Sequence, residues 1–218
     1  MKKLILLASL LAALCAEAAP AAPRVLMMVA DDFMWPEYAE PRKAYEDSGF
    51  HVFVAGKFKE EVRPDRRNLV EYPDAKAVKV DLSFDEVKVD AYDAITFVGR
   101  NGAWHDFFPT QRVHEIVLES FEKKKLLALL CTSTGLLGLT GNFDGKHPVA
   151  AGRKAVGYFR VEGIIQNLGK VNLIPGGKKE PGVQVDDNLI TGRNPESSKL
   201  FGETVVATLK KKIKKESL

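Results

Sequence analysis

Apolar residues recur along this chain in two alternating rhythms. Short, nearly unbroken runs, RVLMMVA from Arg24, HVFVAG from His51, AITFVG from Ala94 and LLALL from Leu126, are separated by stretches whose apolar residues fall three and four apart. An unbroken run of this length is the pattern of a strand buried on both faces, and the wider spacing is that of a helix with one face covered. TQRVHEIVLESFEKKK places Val113, Ile116, Val117 and Phe121 on one such face. PRKAYEDSG predicts a helix with Pro41 in its first turn and Gly49 at its end. Residues 57–93 are charged, with two β-like pieces, LVEYP and AVKVDL, and predict an irregular excursion or a small edge hairpin. Beyond Gly141 the pattern loosens into turns, with one short helix predicted near Val161 to Leu168. VNLIPGG and VQVDDNLITG read as strands, the second broken at Asp186-Asp187-Asn188, and Asn194-Pro195 starts a last helix whose lysine-rich end complements its dipole. This alternation predicts one doubly wound α/β domain, with a mostly parallel sheet sandwiched by helices. Ligands bind at the carboxyl ends of the strands in such sheets, and three of those ends carry Asp31-Asp32, Gly99 to Gly102, and Cys131.

The stretch LLALLCTSTGLLGLTG organises the rest. An apolar strand runs into Cys131, three small hydroxyl residues follow (Thr132, Ser133, Thr134), and Gly135 opens a second apolar run with helical spacing. Strand, sharp turn and helix form a nucleophile elbow: a side chain at the turn stands clear of its backbone, and amide N–H groups beyond it face any negative charge that develops. Cys131 is therefore the first candidate for a reactive group, against the ordinary alternative that a free cysteine fills the core.

Composition changes the picture in two places. The 218 residues, 45% hydrophobic and 28% charged, suit one globular domain. The first 20 residues instead show Lys2-Lys3, an apolar run from Leu4 to about Ala13, and Ala16 and Ala18 in an A-x-A arrangement. That is a secretory signal peptide, too short to span a membrane, so residues 1–18 are expected to be removed, 19–23 to form a Pro/Ala leader, and 24–218 to form the domain. Export to the periplasm or beyond follows. Cys15 stands near a lipoprotein position, but Leu14 precedes it where lipidation wants a small residue. After cleavage Cys131 is the only cysteine, so no internal disulfide can form, and an idle thiol in an oxidising compartment is a liability that favours a functional role. The net charge of +3 gathers in the C-terminal KKKIKKE, without the basic and aromatic interleaving of nucleic-acid binders.

Four segments in order resemble the ThiJ/PfpI (DJ-one/PfpI) family of the class I glutamine-amidotransferase-like superfamily. They are DDFMWPEYAEPRKAYEDSGFHVFVAG, AITFVGRNGAWHDF, LLALLCTSTGLLGLTGNFDGK and VQVDDNLITGRNPESSKLFGETVVATL. The resemblance implies a flavodoxin-like sandwich, a homodimer, and an elbow cysteine acting on a small-molecule substrate; members include small-carbonyl enzymes, peptidases, isonitrile hydratases and chaperones. It places the nucleophile at Cys131 and the oxyanion donors at the backbone N–H groups of Thr132 and of Arg100, which follows Gly99 where the family usually has a second glycine. The family's acid aligns with Met34, and a second acid of some members aligns with Glu37. Thr132 stands where peptidase-like members carry a histidine, which makes peptidase activity the least favoured enzyme reading, and Tyr158 or Phe159 occupies the place of a later histidine.

The remaining candidates have ordinary alternatives. His51, His114 and His147 read as solvated, whereas His105 lies in the loop after Gly99, where an imidazole can act as a base or pair with a thiolate. Trp35 and Trp104 sit in the loops expected to flank Cys131, and either wall an apolar pocket or pack at a dimer interface. Asp31 and Asp32 have no histidine or cysteine at ligand spacing, so a cap or turn is expected and no metal. The glycine-rich pieces lack a dinucleotide or phosphate-loop pattern, so no cofactor is expected. Two functional classes remain: a cysteine-dependent enzyme, glyoxalase-like or hydrolytic, and a ligand-binding or thiol redox-sensing protein without catalysis.

Overall fold

The computed structural model describes residues 21–141 and 148–216. The expected signal peptide, Cys15 and His147 fall outside them.

The central sheet contains β1 (Arg24–Met28), β2 (His51–Gly56), β5 (Leu82–Ser83), β6 (Ala94–Phe97), β7 (Leu126–Leu130), β10 (Val183–Asp186) and β11 (Leu189–Gly192), in the order β10-β11-β7-β6-β1-β2-β5. All neighbours are parallel except the β10–β11 hairpin, whose turn sets Asp187 at φ 54°. Two small pairs lie apart: β3 (Glu61–Val62) with β4 (Val78–Lys79), and β8 (Lys154–Ala155) with β9 (Asn172–Leu173).

The unbroken apolar runs have the expected cause. Along β7, Leu127 and Leu129 enter one core while Leu126, Ala128 and Leu130 enter the other; β1 divides Leu26 and Met28 from Val25 and Met27 in the same way. One core is closed by Val113, Ile116 and Val117 of α3 (Gln111–Glu122), and the other by Trp35, Tyr38 and Tyr45 of α1 (Trp35–Asp47) with Phe201, Val205 and Leu209 of α5 (Ser198–Glu216). A leucine or isoleucine at such a site contributes roughly 2–3 kcal/mol by leaving water.

Three local expectations need correction. The first helix begins at Trp35 rather than near Pro41, because Pro36 starts it; Pro41 lies inside it and has no N–H to give the Glu37 carbonyl four residues back. LVEYP is not a strand: Asn68–Glu71 forms the one-turn α2. The run after the elbow is shorter than its spacing suggested, a 3-10 turn over Cys131–Gly135 followed by the four-residue α4, Leu136–Leu139. The segment 57–93 supplies both the β3–β4 pair and the edge strand β5, and Gly49 ends α1 at φ 77°.

From β1 the chain passes to β2 on one side, and β6 lies on the other. The loops leaving β1, β6 and β7 therefore meet at one edge, where a doubly wound sheet opens a crevice.

Candidate functional site at the strand ends

At the end of β7 the chain turns sharply, and Cys131 sits at φ 58°, a conformation that costs a non-glycine residue of order 1–3 kcal/mol. The hydroxyls that follow hold it there. Ser133 Oγ accepts the Leu130 N–H at 3.0 Å and lies 3.1 Å from the Phe97 carbonyl, tying β7 to β6, while Thr134 Oγ1 donates to the Cys131 carbonyl at 2.5 Å. Thr132 Oγ1 lies 3.6 Å from Sγ, and the Thr132 backbone N–H is directed at the sulfur.

Glu37, in the first turn of α1, reaches the same point. Its carboxyl is 1% exposed and interacts directly with the Cys131 thiol; Oε2 accepts the Gly99 N–H at 2.9 Å, and Oε1 is buried without a well-formed hydrogen bond. Gly99 is required by space rather than by its dihedral angles. A Cβ there would stand 2.6 Å from the Leu130 carbonyl oxygen, 2.7 Å from Glu37 Oε2 and 2.9 Å from Cys131 Cβ.

Burial pushes the Glu37 carboxyl up to about 8, with the Cys131 contact, the Gly99 N–H and the Arg100 charge pulling back against it. Burial also pushes the Cys131 thiol well above its ordinary range; the Glu37 charge adds to the rise and Thr132 opposes it. Two anions side by side in this recess are costly. The pair therefore sheds its protons one after the other: Glu37 first, at about 8, and the thiol only later, since it is held well above its ordinary range.

The recess over the thiol has a volume of about 120 Å³, and its walls include Arg100, Trp104, Thr132 and Tyr158. Arg100 adopts φ 94°, bridges to Phe33, and donates from Nε to Asp65 Oδ2 at 2.8 Å. Asp65 also receives the Arg67 guanidinium at 3.2 Å. Burial alone would raise the Asp65 carboxyl, but hydrogen bonds from Arg67 and Arg100 outweigh it and hold it down at about 2.

Of the residues singled out in the sequence, Cys131, Glu37, Gly99, Arg100, Thr132 and Trp104 gather at this edge, and three do not. Met34, aligned with the family's acid, precedes α1 and does not line the recess; Glu37, one turn on, faces the thiol instead. Trp35 packs into the core, 6.3 Å from the Phe33 ring and 5.8 Å from that of Tyr38, and its backbone N–H donates to Asn68 Oδ1. His105 is exposed on the Ala103–Phe107 turn and does not line the recess, because that π-helical turn, closed by the Phe108 N–H on the Ala103 carbonyl, buries Asp106 and Phe107 and leaves the imidazole outward. His114, read as solvated, is partly buried, with ring nitrogens 2.8 Å from Thr140 Oγ1 and from the Phe108 carbonyl. Asp31 ties loops together, its Oδ1 accepting the Arg63 N–H at 2.7 Å. Asp65 was missed, since nothing in the charged segment 57–93 marks one carboxylate above the others.

Comparison with known proteins identifies the fold and the family. The chain is 30% identical over 189 residues to an uncharacterised protein of Methanocaldococcus jannaschii, covering 86% of this chain and 83% of that one. It is 27% identical to the Deglycase PfpI of Pyrococcus furiosus, covering 79% and 90%. Among solved structures, a ThiJ/PfpI domain protein from Brachyspira murdochii superposes with a TM-score of 0.73 at 21% identity, covering 87% of this chain and 96% of that one. DJ-1beta of Drosophila melanogaster gives 0.68 at 20%, covering 88% and 97%. These structures share the flavodoxin-like fold, and the family model described as the DJ-1/PfpI family matches residues 23–208, so with a relative at 30% identity over most of its length the chain belongs to the DJ-1/PfpI family.

Proposed function

We propose that this is an exported, cysteine-dependent enzyme that adds Cys131 to the carbonyl carbon of a small substrate. The observation that supports it most is the buried contact between Glu37 and Cys131, a proton-carrying carboxyl against a thiol at a strained elbow. In the first step an Sγ–C bond forms, the C=O π pair moves onto oxygen, and the thiol proton reaches that oxygen by way of Glu37, leaving a hemithioacetal. The N–H groups of Thr132 and Arg100 are the proposed donors to the developing oxyanion. For a 2-oxoaldehyde, moving the C1 proton to C2 through an enediol gives a thioester, and water releases the 2-hydroxy acid; the balance needs no external oxidant. Two relatives from Pyrococcus furiosus and Thermococcus kodakarensis are named deglycases, which supports a small-carbonyl substrate. A recess of about 120 Å³ also favours one, since drug-sized ligands occupy roughly 300–1,000 Å³. Methylglyoxal consumption by the wild type and none by Cys131→Ala is the expected result; equal consumption by both sinks the reading.

One observation favours a second reading, a ligand-binding protein without catalysis. Cys131 is 2% exposed and its thiol is raised, so the resting group is protonated. A Cys131 that resists dilute peroxide and consumes no carbonyl compound is its signature, whereas ready oxidation would mark an accessible, ionised thiol instead. Export rests on residues 1–18 and is tested by the mature N-terminus of the secreted protein; an N-terminus still at Met1 removes it.

A further inference from the structure

Three arginines line the recess that holds Cys131: Arg67, Arg100 and Arg160. The carboxyl groups set against them are Asp65, paired with Arg67 and Arg100, the exposed Glu196, whose charge is felt at Glu37, and Glu37 itself at the floor of the recess, which burial keeps protonated at neutral pH. Among the described residues no ion pair joins Arg160 to a carboxylate, and its guanidinium lies 5.6 Å from the Phe159 ring centre. Arg100 keeps its side chain at φ 94°, where glycine would sit without strain, and a strained position retained at a candidate site is a reason to ask what the side chain does. Cations outnumber anions at the mouth, and a neutral carbonyl compound gains nothing from the excess.

Resting on the reading of Cys131 as nucleophile, we propose that the substrate is a short oxo acid, its carboxylate held by Arg67, Arg100 and Arg160 beside the carbonyl carbon that Sγ attacks. The planar guanidinium fork suits a planar carboxylate, and the small recess limits the compound to a few non-hydrogen atoms. The carboxylate takes no part in bond making. The Sγ–C bond forms, the carbonyl π pair goes to oxygen, and the thiol proton follows it, as for a neutral carbonyl.

Iodoacetate and iodoacetamide test this directly, because they differ in charge and react with the same sulfur. Their rates at Cys131 are followed by peptide mass spectrometry on the folded full-length chain at neutral pH and low ionic strength, with glutathione in the same buffer as reference. The iodoacetate-to-iodoacetamide ratio at Cys131 is expected to be about tenfold that of glutathione. It should fall toward the glutathione value at high salt and in the Arg67→Ala/Arg160→Ala double variant, with Arg160→Lys retaining part of the preference. A ratio at or below that of glutathione overturns the oxo-acid proposal and leaves the nucleophile in place. If neither reagent labels Cys131 until the chain is unfolded, the nucleophile reading itself falls and the proposal with it.

Discussion

Replacing Glu37 by glutamine removes a charge from a place where the fold accommodates it poorly, and the effect on stability can be worked out in advance. The carboxyl titrates at about 8 in the folded chain against 4.5 for the ordinary group. Between those values the folded protein holds a proton that the unfolded chain has released, so stability is full below pH 4.5 and falls as pH rises toward 8. Each pH unit in that window removes about 1.4 kcal/mol, which amounts to about 3 kcal/mol at pH 7 and approaches about 5 kcal/mol above pH 8. Glutamine does not titrate, and its amide oxygen can still accept the Gly99 N–H. Urea unfolding of wild type and Glu37→Gln at pH 5, 6, 7 and 8 should give curves that nearly coincide at pH 5 and diverge by about 3 kcal/mol at pH 7, the variant being the more stable. The Cys131 thiol does not blur the comparison, because an unfolded thiol begins to ionise only near about pH 8.5. Parallel stability-versus-pH curves for the two proteins refute the reasoning, since they mean that Glu37 is not desolvated. A more stable variant with lost thiol reactivity would mark Glu37 as a group retained for chemistry at the expense of the fold.

Alkylation of wild-type Cys131 by iodoacetamide should rise with an inflection near pH 8, where Glu37 gives up its proton and its carboxylate can take that of the thiol, and Glu37→Gln should lack that inflection; a flat wild-type profile from pH 6 upward is the contrary result. His105→Ala should leave the alkylation profile unchanged, because the imidazole faces solvent; a clear shift in the profile would return His105 to the site. Gly99→Ala should destabilise by about 1–3 kcal/mol in urea unfolding and disturb Cys131 labelling, since its Cβ collides with two backbone or side-chain oxygens and with Cys131 itself; a variant indistinguishable from wild type contradicts the packing described. Asp65, held at about 2 against an ordinary 3.8, contributes stability that is present above 3.8 and lost as pH falls through 2. Asp65→Asn should therefore cost about 1–2 kcal/mol at neutral pH and nothing near pH 2, allowing for partial solvent screening of Arg67; an equal loss at both pH values counts against the ion pair.

Much of the architecture follows from residue order alone. Unbroken apolar runs can be buried only between two layers, so β1, β6 and β7 had to be central strands of a covered sheet, and Val113, Ile116 and Val117 had to face it. The run into Cys131 with three small hydroxyl residues after it likewise marks an elbow, because bulky residues would not fit so tight a turn. The partners of that elbow were another matter. Met34 and Glu37 lie three residues apart, and only the start of α1 at Trp35, six residues before Pro41, decides that Glu37 is the one carried over the strand ends. His105 and Trp35 stand in the right loops but are turned away by a single π-helical turn and by a helix that buries its first residue, neither of which has a periodic signature. Asp65 becomes significant because the chain folds back to set Arg67 and Arg100 on either side of it, 35 residues separating Arg100 from its partner. Periodicity reports which face of an element is dry; which side chains meet across the sheet edge depends on loop paths and helix starts, and those are decided by packing between segments remote in sequence.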